Sequence, residues 1–187
     1  KKGGVAKSID GTIIKAENFD YNKDKNILIA SDNVQIFDPK NNIKIYSDKV
    51  TYLKNLEIIF TDGNSRAIDD EVQIDAKDFE YNKRKNEILA TGNVKINNKR
   101  DNYLIYSDKI IYSRNSGEIL TRYNSKALLE NMTIFADSFK FNEKKNILNA
   151  EGNVKVNDKI ENYTLETEYL TYDKINNQIF TKNDTNY

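Results

Sequence analysis

The chain repeats itself every 60 residues, and that period limits what it can fold into. Ala16, Phe19, Tyr21, Asn22, Lys25, Asn26, Ala30, Asn33 and Val34 recur at Ala76 to Val94 and at Ala136 to Val154, with one change of type, Tyr21 to Phe141. Between the copies runs a second motif: Tyr46-Ser47-Asp48-Lys49-Val50-Thr51-Tyr52, then Tyr106-Ser107-Asp108-Lys109-Ile110-Ile111-Tyr112, then a degraded Glu166 to Tyr172. The pairs Phe19/Tyr21, Val50/Tyr52, Phe79/Tyr81, Ile110/Tyr112, Phe139/Phe141 and Leu170/Tyr172 stand alternately 31 and 29 residues apart, so each repeat divides into two half-units. Arrays of this kind stack one supersecondary element, each copy burying its apolar side on its neighbours. The expected organisation is one domain over residues 1–187, with repeats at about 6–66, 67–126 and 127–187.

Each half-unit reads as strand, turn, strand. Phe79-Glu80-Tyr81 alternates apolar and charged residues, Asn82 to Asn86 is a short polar run, and Ile88, Ala90, Gly92, Val94 and Ile96 then fill every second position. Period two over that length is a half-buried strand. The polar runs Asn22 to Asn26, Asn82 to Asn86 and Asn142 to Asn146 are too short for a crossover helix and predict hairpins, hence antiparallel neighbours. Leu53 to Glu57, Ser113 to Glu118 and Asp173 to Gln178 are further turns, as are Asp10-Gly11, Asp69-Asp70 and Glu130-Asn131. The only proline, Pro39, falls in the polar connection Asp38 to Asn42, where it breaks no ladder. The expectation is an all-β fold of roughly a dozen strands.

The repeats also predict a register. Leu28, Ala30, Val34 and Ile36 share one face, with Ile88, Ala90, Val94, Ile96 and Leu148, Ala150, Val154, Val156 at the equivalent positions; Ile59, Ile119 and Ile179 join them. Thr61, Thr121 and Thr181 take the alanine position, while Gln35, Lys95 and Lys155 face the other way. Gly92 and Gly152, replaced by Asp32 in the first copy, mark a bulge or a close approach to the backbone. The small alanines and glycines among large aliphatics leave room along this dry face.

Composition narrows the chemistry. Basic and acidic residues balance at 29 each, with no basic block to serve as a nucleic-acid footprint. There is no Cys and no His, which removes the usual nucleophile, general base and transition-metal ligands together. Asp69-Asp70-Glu71 lacks the ligand spacing of a calcium loop and reads as a solvated turn. The many Lys and Asn residues of the turns read as a low-G+C coding bias. No cofactor and no enzymatic activity are expected. No apolar run approaches the roughly 20 residues of a membrane span. No signal peptide is seen, so the chain reads as a mature or truncated form.

The pattern Ala-x-x-Phe-x-Tyr-Asn-x-x-x-Asn-x-Leu-x-Ala-x-Gly-Asn-Val-x-Ile, seen at 76 to 96 with Ile88 at its leucine position and at 136 to 156 with Phe141 and Val156, together with Tyr46 to Tyr52, resembles the OstA-like domain of the lipopolysaccharide-transport bridge. That family takes in the free bridge protein LptA and the N-terminal periplasmic domain of the translocon LptD, and this chain is similar to both. The resemblance implies an open antiparallel β-jellyroll, two sheets folded like a taco shell, built here from 60-residue repeats. It implies a periplasmic protein, tied to the outer membrane if part of the translocon, that carries lipopolysaccharide acyl chains in an apolar groove. Leu28, Ala30, Val34, Ile36, Ile59, Ile88, Ala90, Val94, Ile96, Ile119, Leu148, Ala150, Val154, Val156 and Ile179 are the candidate groove residues. Partners implied are the lipid and other Lpt jellyrolls, which add strands to free edges near Val5 to Ile14 and Ile179 to Thr181; the same edges lead to head-to-tail self-association. Two other classes stay open: a filament-forming β-repeat protein with a filled core, and a parallel β-helix enzyme acting on polysaccharide.

Overall fold

The computed structural model describes residues 3–181. All regular structure in it is strand, and every pairing is antiparallel. The order is β1 (Gly4–Lys7), β2 (Ile13–Ala16), β3 (Asn18–Asn22), β4 (Ile27–Asp38), β5 (Ile43–Leu53), β6 (Ile58–Asp62), β7 (Ser65–Ile68), β8 (Val72–Ala76), β9 (Asp78–Asn82), β10 (Glu87–Asn98), β11 (Tyr103–Ser113), β12 (Glu118–Arg122), β13 (Ser125–Leu129), β14 (Met132–Ala136), β15 (Ser138–Asn142), β16 (Ile147–Asp158), β17 (Tyr163–Asp173) and β18 (Gln178–Thr181). The turns fall at the expected polar runs. Antiparallel pairing throughout removes the parallel β-helix.

Eighteen strands replace the expected dozen because a crease runs through the array. The long strands β4, β5, β10, β11, β16 and β17 pass through it whole, whereas β2/β3, β6/β7, β8/β9, β12/β13 and β14/β15 are each one pass broken there. The pairings divide accordingly. On one side of the crease a first sheet joins β3, β6, β9, β12, β15 and β18 through the near halves of the long strands; on the other a second sheet joins β1, β2, β7, β8, β13 and β14. Their apolar faces meet, as where the Tyr103 ring of the second sheet stands edge-on to Phe141 of the first, 5.1 Å between centroids.

The crease has a local cause. Asp32-Asn33, Gly63-Asn64, Gly92-Asn93, Tyr123-Asn124 and Gly152-Asn153 all hold left-handed φ, between 47° and 81°. At β4, β10 and β16 these two residues oppose one on the partner strand, a bulge that bends the pass. A Cβ on Gly92 would lie 2.7 Å from Lys77 Cβ, so both conformation and space call for glycine there. Backbone groups freed by the bend are taken up by small hydroxyls on the inner side. Ser47 Oγ donates to Gly63 O at 3.0 Å, Ser107 Oγ to Tyr123 O at 2.9 Å, and the Phe79 and Phe139 amides donate to Thr61 and Thr121 Oγ1, both at 2.7 Å. The Asn64 and Asn124 amides reach back to Asp48 and Asp108 at 2.7 and 2.6 Å. The Ser-Asp pair of the second sequence motif is therefore crease hardware.

The bulge also sets the side-chain phase. On bulged passes the buried positions step by four across the crease, Ala30 to Val34 and Ala90 to Val94, which keeps parity. On return passes they step by three, Ser47 to Val50 and Ser107 to Ile110, which reverses it. A uniform period of two thus describes β4, β10 and β16 but not β5, β11 and β17.

Candidate functional site

All fifteen candidate groove residues lie on the inner faces. Leu28 and Ile179 are partly buried; the other thirteen are at most 2% exposed. The hydroxyls Thr61 and Thr121 share their face, and Gln35, Lys95 and Lys155 point outward, Lys155 pairing with Glu166 at 2.9 Å.

The room expected beside the alanines is occupied. Tyr81, Tyr103 and Phe141 are among the largest fully buried side chains, and Tyr52, Phe79, Tyr112 and Phe139 are buried beside them. Apart from Tyr103, these rings stand on the first sheet, as Ala30, Ala90 and Ala150 do, with Phe79 and Phe139 the cross-strand neighbours of Ala90 and Ala150, and together they make the middle of the molecule a packed core. The sequence reading used these aromatics to find the repeat and did not count them as lining. Their alternation with the aliphatics was the available signal.

Nor are the outer rims apart, so the open form expected of the two sheets is not what the structure has. Turn residues of the first sheet reach across to turns of the second in four rungs. Lys83, 3% exposed, donates through Nζ to Asp10 Oδ2 and Thr12 Oγ1 and lies 4.0 Å from Asp38 Oδ2. Arg114 holds Asp69 at 2.8 Å and donates to Asn41 O at 2.9 Å. The Tyr103 hydroxyl donates to Glu143, and that of Tyr112 does so at 2.9 Å. Lys174 Nζ donates to Asp101 O. Asp69 is thus an anchor of the seam rather than a solvated turn residue. The bridging positions 83, 114, 143 and 174 each open a turn, again 31, 29 and 31 residues apart.

The seam is electrostatically well matched. Burial works against the Asp10 carboxylate, but hydrogen bonds from Lys83 and from the Thr12 amide outweigh it and hold Asp10 below the ordinary carboxylate range. Burial likewise works against the Lys83 ammonium, and its bond to Asp10 with the nearby Asp38 charge raises it above the usual lysine value. Tyr81, Tyr103 and Tyr112 are pushed up by burial and then by the facing carboxylates, Asp38 for the first and Glu143 for the other two. These hydroxyls keep their protons and donate them to the carboxylates, and the arrangement is a clasp rather than a set of acid–base groups.

The two rims interleave with an offset, since Lys83, Arg114 and Lys174 each bond a residue 73 positions earlier. The first-sheet turns at 23–26 and 54–57 extend past the start of the second sheet. There the interior opens into a cavity of about 380 Å³ lined by Ile14, Phe19, Tyr21, Leu28 and Tyr52, with Lys54 Nζ 5.0 Å from the centre of the Tyr21 ring. Among the described residues, β1 and β3 each pair on one side only at this end, and so do β18 and the first half of β17 at the other.

Against known proteins, the model of a family described as "LptA/(LptD N-terminal domain) LPS transport protein" matches residues 73–174, more than half of the chain. No curated protein matches. Among solved structures, one similar to this chain is the crystal structure of LptH, described as the LptA homologous periplasmic component of the lipopolysaccharide transport device, from Pseudomonas aeruginosa. It is 12% identical, with 76% of this chain and 83% of that one covered and a TM-score of 0.35. With its matched segment running from β8 to the turn after β17, this chain belongs to the LptA/LptD N-terminal domain family of lipopolysaccharide-transport proteins.

Proposed function

We propose that the chain is a non-enzymatic periplasmic module of the lipopolysaccharide bridge, a jellyroll of three 60-residue units that shields acyl chains between its two sheets. The observation that carries this is the apolar character of both inner faces along the array, interrupted by small hydroxyls at the crease and by polar groups at the seam. An acyl chain of about a dozen methylenes costs on the order of 10 kcal/mol to expose, so it needs a continuous dry surface to cross water. Leu28, Ile36, Ile59, Val94, Ile96, Ile119, Leu148 and Val154 would supply that surface. Because rings now fill the interior, a chain lying there must take the place of Tyr81, Tyr103 and Phe141 contacts, with the seam parting to admit it. The cavity beside Leu28 is where lipid contact starts at least cost. Other jellyrolls of the pathway would continue the track by adding strands at β1, β3 or β18.

Photo-cross-linking to lipopolysaccharide tests this. Probes at Leu28, Ile36, Val94, Ile96, Leu148 and Val154 are expected to label, and probes at Gln35, Lys95 and Lys155 are not. Equal labelling on both faces, or none in folded protein, removes the lipid reading. The tyrosine-filled interior favours a second reading, a filament-forming β protein whose core never opens, which predicts end-to-end growth with no lipid labelling.

A further inference from the structure

One residue breaks the economy of the crease. The first member of each left-handed pair is Asp32, Gly63, Gly92, Tyr123 or Gly152. Glycine reaches this conformation freely and aspartate with modest difficulty, whereas a bulky ring at φ 68° is a strained choice. Tyr123 gains no compensating burial, for it is 64% exposed. Its ring lies instead at a concavity of about 620 Å³ on the outer face of the first sheet, within the range of small-ligand pockets.

The floor and walls of this concavity come from β11, β12, β15, β16 and β17 in register. Ile111 stands opposite Leu120, Leu120 opposite Lys140, Lys140 opposite Asn149, and Glu151 opposite Tyr169. At the positions 60 residues earlier stand Thr51, Phe60, Glu80, Leu89, Thr91 and Lys109, with Gly63 matching Tyr123. Solvent-facing residues drift freely between copies, but drift does not explain the loss of a strain-free glycine.

We propose that this outer face binds a neutral saccharide, stacked on Tyr123 and Tyr169. Sugar hydroxyls both donate and accept, and the walls offer both: Arg122 and the Asn149 amide donate, the Asn149 oxygen being held by Tyr169 and Thr171, and Glu151 accepts. Arg122 and Lys140 are matched by Asp137, Glu151 and Glu118, which pairs with Lys140 at 3.0 Å, so the site has no positive field to select a phosphate. It lies in the middle of the sheet, where β11, β12, β15 and β16 have partners on both sides, so an extended peptide has no edge to pair with. Being on the opposite face from the proposed lipid interior, it stands or falls independently of that reading.

The test is titration of the whole chain with dephosphorylated core oligosaccharide freed from lipopolysaccharide, with chitotetraose and with inorganic phosphate, followed by amide chemical shifts. Either saccharide is expected to move Tyr123, Asn149 and Tyr169; a response to the first alone assigns the lipid's own sugars, and to the second alone a cell-wall glycan. Tyr123→Gly should raise the thermal midpoint while weakening saccharide binding about tenfold, a pairing that a purely structural tyrosine cannot give. Tyr169→Ala should weaken binding by a similar factor with the spectrum otherwise native. No response to either saccharide at millimolar concentration, a response to phosphate alone, or unaltered binding by Tyr123→Gly overturns the proposal.

Discussion

At the scale of single residues, asparagine carries more of the fold than its abundance suggests. Asn26, Asn42, Asn86, Asn102, Asn146, Asn162 and Asn177 each close a turn at φ between 48° and 55°, and the second crease residue is Asn in all five pairs. A coding bias would scatter asparagine; here it occupies the left-handed positions that it tolerates better than other non-glycine residues. Replacing Asn146 by alanine should cost about 1 kcal/mol in urea unfolding, whereas glycine should be nearly neutral. Recurrence made these residues easy to find in the sequence. Their role was hidden because a conserved spacing says that a position matters without saying which φ it holds.

At the scale of elements, passes, turns and the bulge at Gly92 and Gly152 were legible because each is local, written in periodicity and loop length. The phase reversal on β5, β11 and β17 was not, since it is caused by a bulge on the neighbouring strand. The seam was beyond reach for the same reason: nothing in Lys83 announces Asp10 on the far side of a folded sheet. Its contribution is measurable. Lys83→Met leaves Asp10 and the fully buried Asp38 facing each other without a cation and should destabilise by about 3 kcal/mol, with Lys83→Met/Asp38→Asn recovering part of that. Acid should loosen the same rung. Asp10 is depressed in the folded state, so its stabilising effect is complete above its unfolded value of 3.8 and fades as pH falls below it. The thermal midpoint should therefore drop more between pH 5 and pH 2 in the native chain than in Asp10→Asn. For Lys83, raised in the folded state, the stabilising effect holds below its unfolded value of 10.5 and is lost as pH rises beyond it.

At the scale of the whole molecule, the inner faces were readable and their contents were not, because a pattern of apolar positions does not say whether two such faces stand apart or touch. The edge strand β1, paired on one side only among the described residues, predicts growth. Light scattering should rise with concentration without a fixed stoichiometry, and Val5→Lys, which places a charge on the edge strand β1, should suppress it. A strictly monomeric native chain at high concentration would show that both ends are covered in solution.

The change of charge from Lys83 and Arg114 to Glu143 along the seam has a consequence for how such a chain can change its length. Each 60 residues add four passes, about 19 Å at ~4.8 Å per strand, so the array is a ruler that could be cut by whole units. Removing residues 67–126 joins Arg66 to Ala127 and brings Glu143 to the place where Lys83 stood, opposite Asp10 and Asp38, with Phe141 in place of the Tyr81 hydroxyl. Acid would then meet acid. The rungs thus behave like the wards of a lock, admitting each unit only at its own station. The shortened chain should fold poorly as cut and recover when Glu143→Lys and Phe141→Tyr restore the proper key.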